Sequence, residues 1–401
     1  MRTLSLFQRH LRDLDLKPAD SEGTTTDLDA TGSGTPDGTA TRRSDSVKPG
    51  SHRGIATSAT QASGSHGGWW RHIHLAAFLN QTERTLLAVV IGVAIVMTVW
   101  QPSQFATTSN LHNMTQQGAV LAIVALGQMF PLLVGGFDIS VGSLMGVSSV
   151  VGVGVMGTYG VIPGLIAGVG ASGLLGLLNG VLIGRLELSP FIVTLGMLSF
   201  ARGFALALTG GAPITGTPSS FSYFGAQDIG PIPGTVVIAA VVTVLLFGLL
   251  TISRAGLYLY ATGSNSRATR LAGISDRRYT TVAYLISGLA AGVAGLVLSS
   301  RLASGQPTLG EGYELQSIAI AIIGGVAIGG GKGRVQGVLL GVAFLTMLTS
   351  GLNIAGVDTF VKQMIIGAII VFAVLWDRAR LSRWMQFRRK PFSPTTEESG
   401  S

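Results

Sequence analysis

Pro131–Val147 reads PLLVGGFDISVGSLMGV, and the fold turns on how it is read. Asp138 is the only Asp, Glu, Lys or Arg between Arg84 and Arg185, so it interrupts a long apolar tract. A carboxylate facing lipid there is costly, about 2.5–3.5 kcal/mol on insertion scales. Gly135, Gly136 and Gly142 surround it, each weakening a helix by about 1 kcal/mol relative to alanine. The stretch therefore predicts a break between two helices. Broken backbone at membrane depth has to be buried in protein or line a watery cavity. Asp138, Ser140 and Ser143 can satisfy the freed N–H groups as caps, and the dipole of the following helix favours a carboxylate at its start. The plainest role for Asp138 is thus to cap a re-entrant break. The other two are contact with a solute hydroxyl or a moving gate, and a proton relay. A single acid with no second acid or histidine nearby serves the last poorly.

Working outward, the 401 residues are 47% hydrophobic and 11% charged, where a soluble chain carries about 25% charged residues. Several apolar runs reach the roughly 20 residues needed to cross a bilayer. The expected fold class is all-α, a polytopic transmembrane helical bundle of about ten spans with broken, glycine-rich helices. The spans fall near 86–101, 115–134, 140–157, 162–183, 190–209, 233–253, 279–299, 316–330, 336–354 and 361–376; the third and eighth are short and glycine-broken, so eight or nine is the alternative count. Glycine, 57 residues, is about twice its usual share, which suits close helix packing in lipid.

Three regions follow. Residues 1–70, rich in Gly, Ser, Thr and Asp, have too few apolar side chains to offset chain entropy and read as a disordered cytoplasmic tail. Residues 71–378 form the transmembrane domain, and 379–401 a basic cytoplasmic tail. Ten spans collect Arg71, Arg84, Arg185, Arg254, Arg267, Arg270, Arg277, Arg278, Lys332, Arg334 and the basic residues of 378–390 on one side, against only Arg301 and Lys362 on the other. The positive-inside rule makes the basic side, and both termini, cytoplasmic. The net charge of +8 is thereby read as a topology signal with lipid as the neighbour, not as a nucleic-acid surface.

Polar groups inside spans stand out. Arg202 is expected to snorkel to the outer interface or pair with a carbonyl, with a pathway role as the alternative. Gln128 and Asn179 are expected to hydrogen-bond between helices. VGGFDISVG (134–142) and IGGVAIGGG (323–331) align at an offset of 189, matching Gly135 with Gly324 and Gly136 with Gly325. This is a candidate parallel repeat, a known transporter plan. In the cytoplasmic loop, SNSRATRLAGI (264–274) predicts a short helix capped by Ser264 or Ser266 and stopped by Gly273, with Ala268, Leu271 and Ala272 on one apolar side. Such a helix lies on headgroups or docks in a partner's groove. The outer loops 210–234 and 299–317 hold Asp228, Glu311 and Glu314, candidate contacts for a soluble partner or plain connections. No catalytic or metal motif is present. IGGGKGR fails the phosphate-loop pattern at Val326 and at Gly333, and the absence of cysteine excludes thiolate chemistry.

GGFDISVGS (135–143), LNGVLIGRLELSPFIVTLGMLSFARGFALALTGGAPI (178–214), YATGSNSRATRLAGI (260–274), SGQPTLGEGYELQSIAIAIIGG (304–325), GGGKGRVQGVLLG (329–341) and SGLNIAGVDTFVKQMIIGAIIVFAV (350–374) resemble, in order, the membrane permease of ribose-type ABC sugar importers, a branch of a broader group with the branched-chain amino acid permeases. The resemblance covers about 86–376. It implies a permease subunit importing a monosaccharide (ribose- or xylose-like) across the inner membrane. It also implies a cytoplasmic ABC ATPase holding ATP-Mg, an extracytoplasmic sugar-binding protein and a second permease copy or paralogue. The chain itself would hold no cofactor and catalyse no reaction. On this resemblance, Gly263, Asn265, Arg270, Leu271 and Gly273 belong to the coupling helix that seats in the ATPase. Gly135, Gly136, Asp138, Ser140, Gly142, Ser143, Arg202, Gly324 and Gly325 are the candidate translocation and gating positions. The rival readings are import of a branched-chain amino acid or nucleoside, an ion-driven secondary transporter, and a non-transporting scaffold. The glycine run 329–331 and the long N-terminal tail depart from the family pattern.

Overall fold

The computed structural model describes residues 80–388. Among them run twelve α-helices: α1 Gln81–Trp100, α2 Thr108–Leu133, α3 Val141–Tyr159, α4 Val161–Gly184, α5 Pro190–Thr209, α6 Gly234–Thr251, α7 Arg254–Ser264, α8 Ser266–Leu271, α9 Asp276–Leu302, α10 Tyr313–Ile323, α11 Val335–Ile354 and α12 Thr359–Arg388. Between α5 and α6 lie a 3-10 turn, Ser219–Phe224, and a minimal antiparallel hairpin of β1, Asp228–Ile229, with β2, Ile232–Pro233. Eight helices, α1–α6, α9 and α11, are long and apolar enough to cross a membrane; α10 and residues 359–372 of α12 are shorter apolar helices. The protein is a polytopic helical membrane protein.

Each of the ten expected stretches carries a helix, but two differ in kind. The third is an unbroken 19-residue helix, because its break lies ahead of it, at 134–140. The eighth, α10, has only 11 residues, about 17 Å of rise and roughly half a hydrocarbon core. Residues 303–312 supply the remaining depth by running down beside α3. Ser149 Oγ accepts from Gln306 N at 2.8 Å, and a Cβ on Gly146 would lie 2.6 Å from Pro307 O. Glycine at 142 leaves room for Gly310 O and the Glu314 carboxylate. Hydropathy alone read this dip as an outer loop. The final helix also continues to Arg388, ten residues beyond the expected boundary at 378. The N-terminal tail, 1–70, lies outside the described residues.

The most extensive helix pairing is the seam of α4 with α9. Gly164, Gly168, Ser172, Gly176, Gly180 and Gly184 recur every four residues and form one small-residue stripe. A Cβ on Gly176 would lie 2.6 Å from Tyr284 O, and one on Gly180 2.5 Å from Thr281 O. That closeness puts hydroxyls within reach of backbone: Ser172 Oγ donates to Gly288 O at 2.6 Å, and Thr281 Oγ1 to Gly180 O at 2.9 Å. Ser148 of α3 adds a bond to Gly292 O at 2.8 Å. Such interhelical bonds average about 0.6 kcal/mol in membrane proteins, so close packing does most of the work. The outward faces, with Ile95 and Val99 on α1, Ile162 and Ile166 on α4 and Val244 and Leu245 on α6, are exposed and apolar, as lipid contact demands.

Candidate translocation site and coupling loop

α2 ends because Gly135 takes φ +85°, a left-handed conformation open to glycine at little strain. Gly135 N bonds to Leu132 O at 3.0 Å and Gly136 N to Pro131 O at 2.9 Å, the paired bonds of a Schellman stop. The chain then climbs back beside α2. Gln128 reaches the backbone of Asp138: with its amide oriented to satisfy both ends, it donates to Asp138 O at 3.1 Å and accepts from Asp138 N at 2.9 Å. Asp138 is fully buried. Its Oδ1 accepts from Ser140 N at 2.9 Å and from Ser140 Oγ, and its Oδ2 from Ser287 Oγ at 3.0 Å. Asn179 Nδ2 donates to Ser140 Oγ at 3.0 Å, and Ser143 Oγ to Ser140 O at 2.8 Å. The carboxylate thus knots together the turn, α4 and α9. It closes on the N–H two residues ahead; Ser140 is the residue at the cap position, and its side chain makes no capping bond to the helix. Tyr284 Oη donates to Phe137 O at 3.3 Å and packs over Gly136, which has no room for a Cβ.

The second glycine turn repeats the first. α10 ends with Gly325 at φ +84°, Gly325 N on Ile322 O at 2.9 Å and Val326 N on Ala321 O at 2.9 Å. The equivalence is therefore Gly135 with Gly325, an offset of 190 rather than 189, and Gly324 matches Val134 as the residue just before the left-handed one. The alignment sits one residue off because it pairs both glycines of each turn, whereas the structural match sets Gly136 against Val326.

The two turns meet. Gly331 N donates to Leu133 O at 2.8 Å, and a Cβ on Gly330 would lie 2.8 Å from Gly135 N and 3.0 Å from Gly263 Cα. Gly263, near the end of α7, is wedged between Leu133 O and Gly331 N with no space for a side chain. Tyr260, one turn earlier, donates to Gly333 O at 2.8 Å. Burial raises its phenol above the usual range, against the lowering field of Arg334, and keeps it a donor at neutral pH. Arg334 in turn bonds buried Glu83 of α1 at 3.1 Å.

The loop helix α8 follows directly. Its cap is Asn265, whose Oδ1 accepts from Ala268 N at 3.0 Å; neither Ser264 nor Ser266 takes that place, because the reversal falls between them. Gly273 at φ +79° stops it. Thr269 faces inward, while Ala268, Leu271 and Ala272 are exposed, Leu271 at 85%. Arg270 points back into the protein, 3.5 Å from Asp276 and 3.9 Å from Glu187, and Arg277 holds Glu187 at 2.6 Å. These charges rim a cleft of about 310 Å³ whose other walls include Gly135, Gly136 and Tyr284. Arg202 of α5 pairs with a carboxylate rather than a carbonyl: it lies 3.2 Å from Glu311.

Residues 110–374 match the family described as branched-chain amino acid transport system, permease component. The chain belongs to this family. Ribose import permease protein RbsC of Escherichia coli is 35% identical over 74% of the chain and 94% of its own length. The Bacillus subtilis protein of the same name is 39% identical over 71% and 89%, and the D-allose transport system permease AlsC of Escherichia coli 34% over 73% and 90%. The likeness is thus to ribose-type sugar ABC permeases. No solved structure matches.

In this permease the expected positions fall into two clusters, with Arg202 apart from both on Glu311. Gly135, Gly136, Asp138 and Ser140 form the first turn and Gly142 and Ser143 open α3 behind it; Gly324 and Gly325 lie in the second, joined to the first through Gly331. Gly263 bridges them, and Asn265, Arg270, Leu271 and Gly273 build the loop below. Sequence reading passed over Ser287, Glu187 and Arg277. Ser287 sits unremarked in an apolar run, and Glu187 gains meaning only from its two arginines, Arg270 and Arg277. Gln128 and Asn179 did carry a signal, as amides inside spans, and both spend it on the Asp138 turn.

Proposed function

We propose that this permease is the membrane subunit of an ATP-driven importer of a monosaccharide, ribose- or xylose-like. A separate cytoplasmic ATPase would bind Mg-ATP and drive it, an extracytoplasmic binding protein would deliver the sugar, and a second permease copy or a paralogue would complete the pathway. Both termini would be cytoplasmic. One observation carries the reading: Gly263 joins the exposed loop helix α8 to both glycine turns without an intervening side chain. A push on Leu271 and its neighbours would be passed through α7 to Leu133 and Gly331, and so to the ends of α2 and α10 and the starts of α3 and α11. The names of the ribose, allose and arabinose relatives support a sugar as cargo. The scheme is a shift between two packings whose balance the ATPase biases. The test is reconstitution in proteoliposomes with a partner ATPase and binding protein. ATP-dependent ribose accumulation is expected. Accumulation without ATPase or nucleotide would overturn the proposal.

A further inference from the structure

Three charged side chains sit where a span should carry none. The depth follows from register. Asp138 bonds Ser287, and Ser149 accepts from Ser299 at 2.7 Å, so α3 and α9 run side by side. Gly142, just above Asp138, is therefore level with the middle of the 27-residue α9. Glu314 packs on Gly142, and Arg202, bonded to Glu311, lies near the middle of the 20-residue α5. The group is thus at mid-bilayer. Yet the Glu311 side chain is 73% exposed and that of Arg202 18% exposed. A charge that exposed at that depth is incompatible with lipid and requires water.

The group also has unused bonding capacity. Arg202 Nε is buried without an acceptor, and Glu314 Oε2 is buried without a donor, its other oxygen accepting from Gly312 N at 3.1 Å. A guanidinium offers only donors and a carboxylate only acceptors. A vicinal diol fits both, since each hydroxyl accepts one bond and donates another.

Resting on the importer reading above, we propose that Arg202, Glu311 and Glu314 form a water-facing subsite at mid-membrane that binds a neutral polyhydroxylated solute through its hydroxyls. Asp138, sealed on every side by its own partners, holds the wall behind it. Arg202 and Glu311 also tie α5 to the dipping segment, so solute competing for the guanidinium loosens that tie as it arrives.

The chain has no cysteine, which makes single-cysteine labelling clean. Glu311→Cys and, on the outer face of α6, Val244→Cys are assembled with the ATPase and binding protein and treated with a charged, membrane-impermeant thiosulfonate. Fast modification at 311, none at 244, and slowing at 311 by D-ribose, D-allose or L-arabinose are expected. Modification at 311 no faster than at 244, or unchanged by all three sugars, overturns the subsite. Glu314→Gln, which keeps the shape, is expected to raise the half-saturating ribose concentration about tenfold, the equivalent of ~1.4 kcal/mol; an unchanged value overturns its part. Ribose uptake by the unsubstituted chain, reconstituted in parallel with the same partners, separates the two readings. Uptake without protection removes the subsite and leaves the importer standing, whereas absence of any ATP-driven sugar uptake removes the importer and the subsite with it.

Discussion

At the scale of single residues, Asp138 shows how a buried acid becomes an anchor. Three donors converge on it, from Ser140 N, Ser140 Oγ and Ser287 Oγ. Asp138→Ala strands all three, and unsatisfied buried groups cost about 1–3 kcal/mol each. The variant is expected to insert but melt far earlier, read by size-exclusion profiles of detergent extracts after heating; Asp138→Asn, keeping one acceptor, is expected to fall between. Equal melting of Asp138→Ala and wild type would remove the anchor. Gly263 shows the opposite constraint, a site defined by what cannot fit. Gly263→Ala drives a methyl into Leu133 O while leaving the outward face of α8 untouched. ATPase binding is expected to persist and sugar uptake to collapse; loss of binding would show that Gly263 serves docking instead. Leu271→Asp is expected to do the reverse of Gly263→Ala, weakening pull-down of the ATPase with insertion intact. Asp138 and Leu271 were legible in the sequence because a charge in an apolar tract and a leucine in a basic loop each contrast with their surroundings. Asn265 was not legible as the cap, because three adjacent polar residues all have capping side chains and only the backbone reversal chooses among them.

At the scale of elements, the α4–α9 seam explains where the glycines go. A stripe at four-residue spacing brings two backbones close enough for hydroxyl-to-carbonyl bonds. Gly176→Val is expected to disrupt the bundle and abolish recovery of folded protein, since its side chain would enter the α9 backbone. Gly170→Val, on the open side of the same helix with nothing within 4 Å, is expected to express and melt like wild type. Equal behaviour of the two would mean that the seam tolerates separation. The spans themselves were legible from hydropathy, and the turn at 135–140 from its glycines. The half-length of α10 was not. IAIAIIGGVAIGG continues the apolar run past Ile323, and only the left-handed Gly325 marks where the helix stops. Likewise the dip of 303–312, ASGQPTLGEG, is punctuated by Gly and Pro and reads as a surface loop until Gly142, Gly146 and Ser149 provide a channel for it.

At the scale of the molecule, the two glycine turns adjoin the loop helix through Gly263, and Gly135 and Gly136 share one cleft with the ionic rim of Glu187, Arg270, Asp276 and Arg277. Residues 1–65 lie outside the described residues. Their deletion is expected to leave transport by the reconstituted complex unchanged; loss of uptake at normal expression would assign the tail a working part. The broad class was legible early because charge depletion and apolar runs are properties of the whole chain. The equivalence of the two turns was only approximately legible, since the register one residue off matches both glycines of each pair and the structural register only one.

The seam of α4 and α9 also limits how the protein can change shape. Helices that interlock at backbone distance, with Ser172 and Thr281 bonded across, slide only if several contacts break together. Rocking between inward- and outward-open forms would therefore treat α4 and α9 as one stiff spar and pivot the more loosely held α5 and α6 around it. Amide deuterium uptake slowest along 172–181 and 281–292, in every stage of the cycle, is the signature of such a fulcrum.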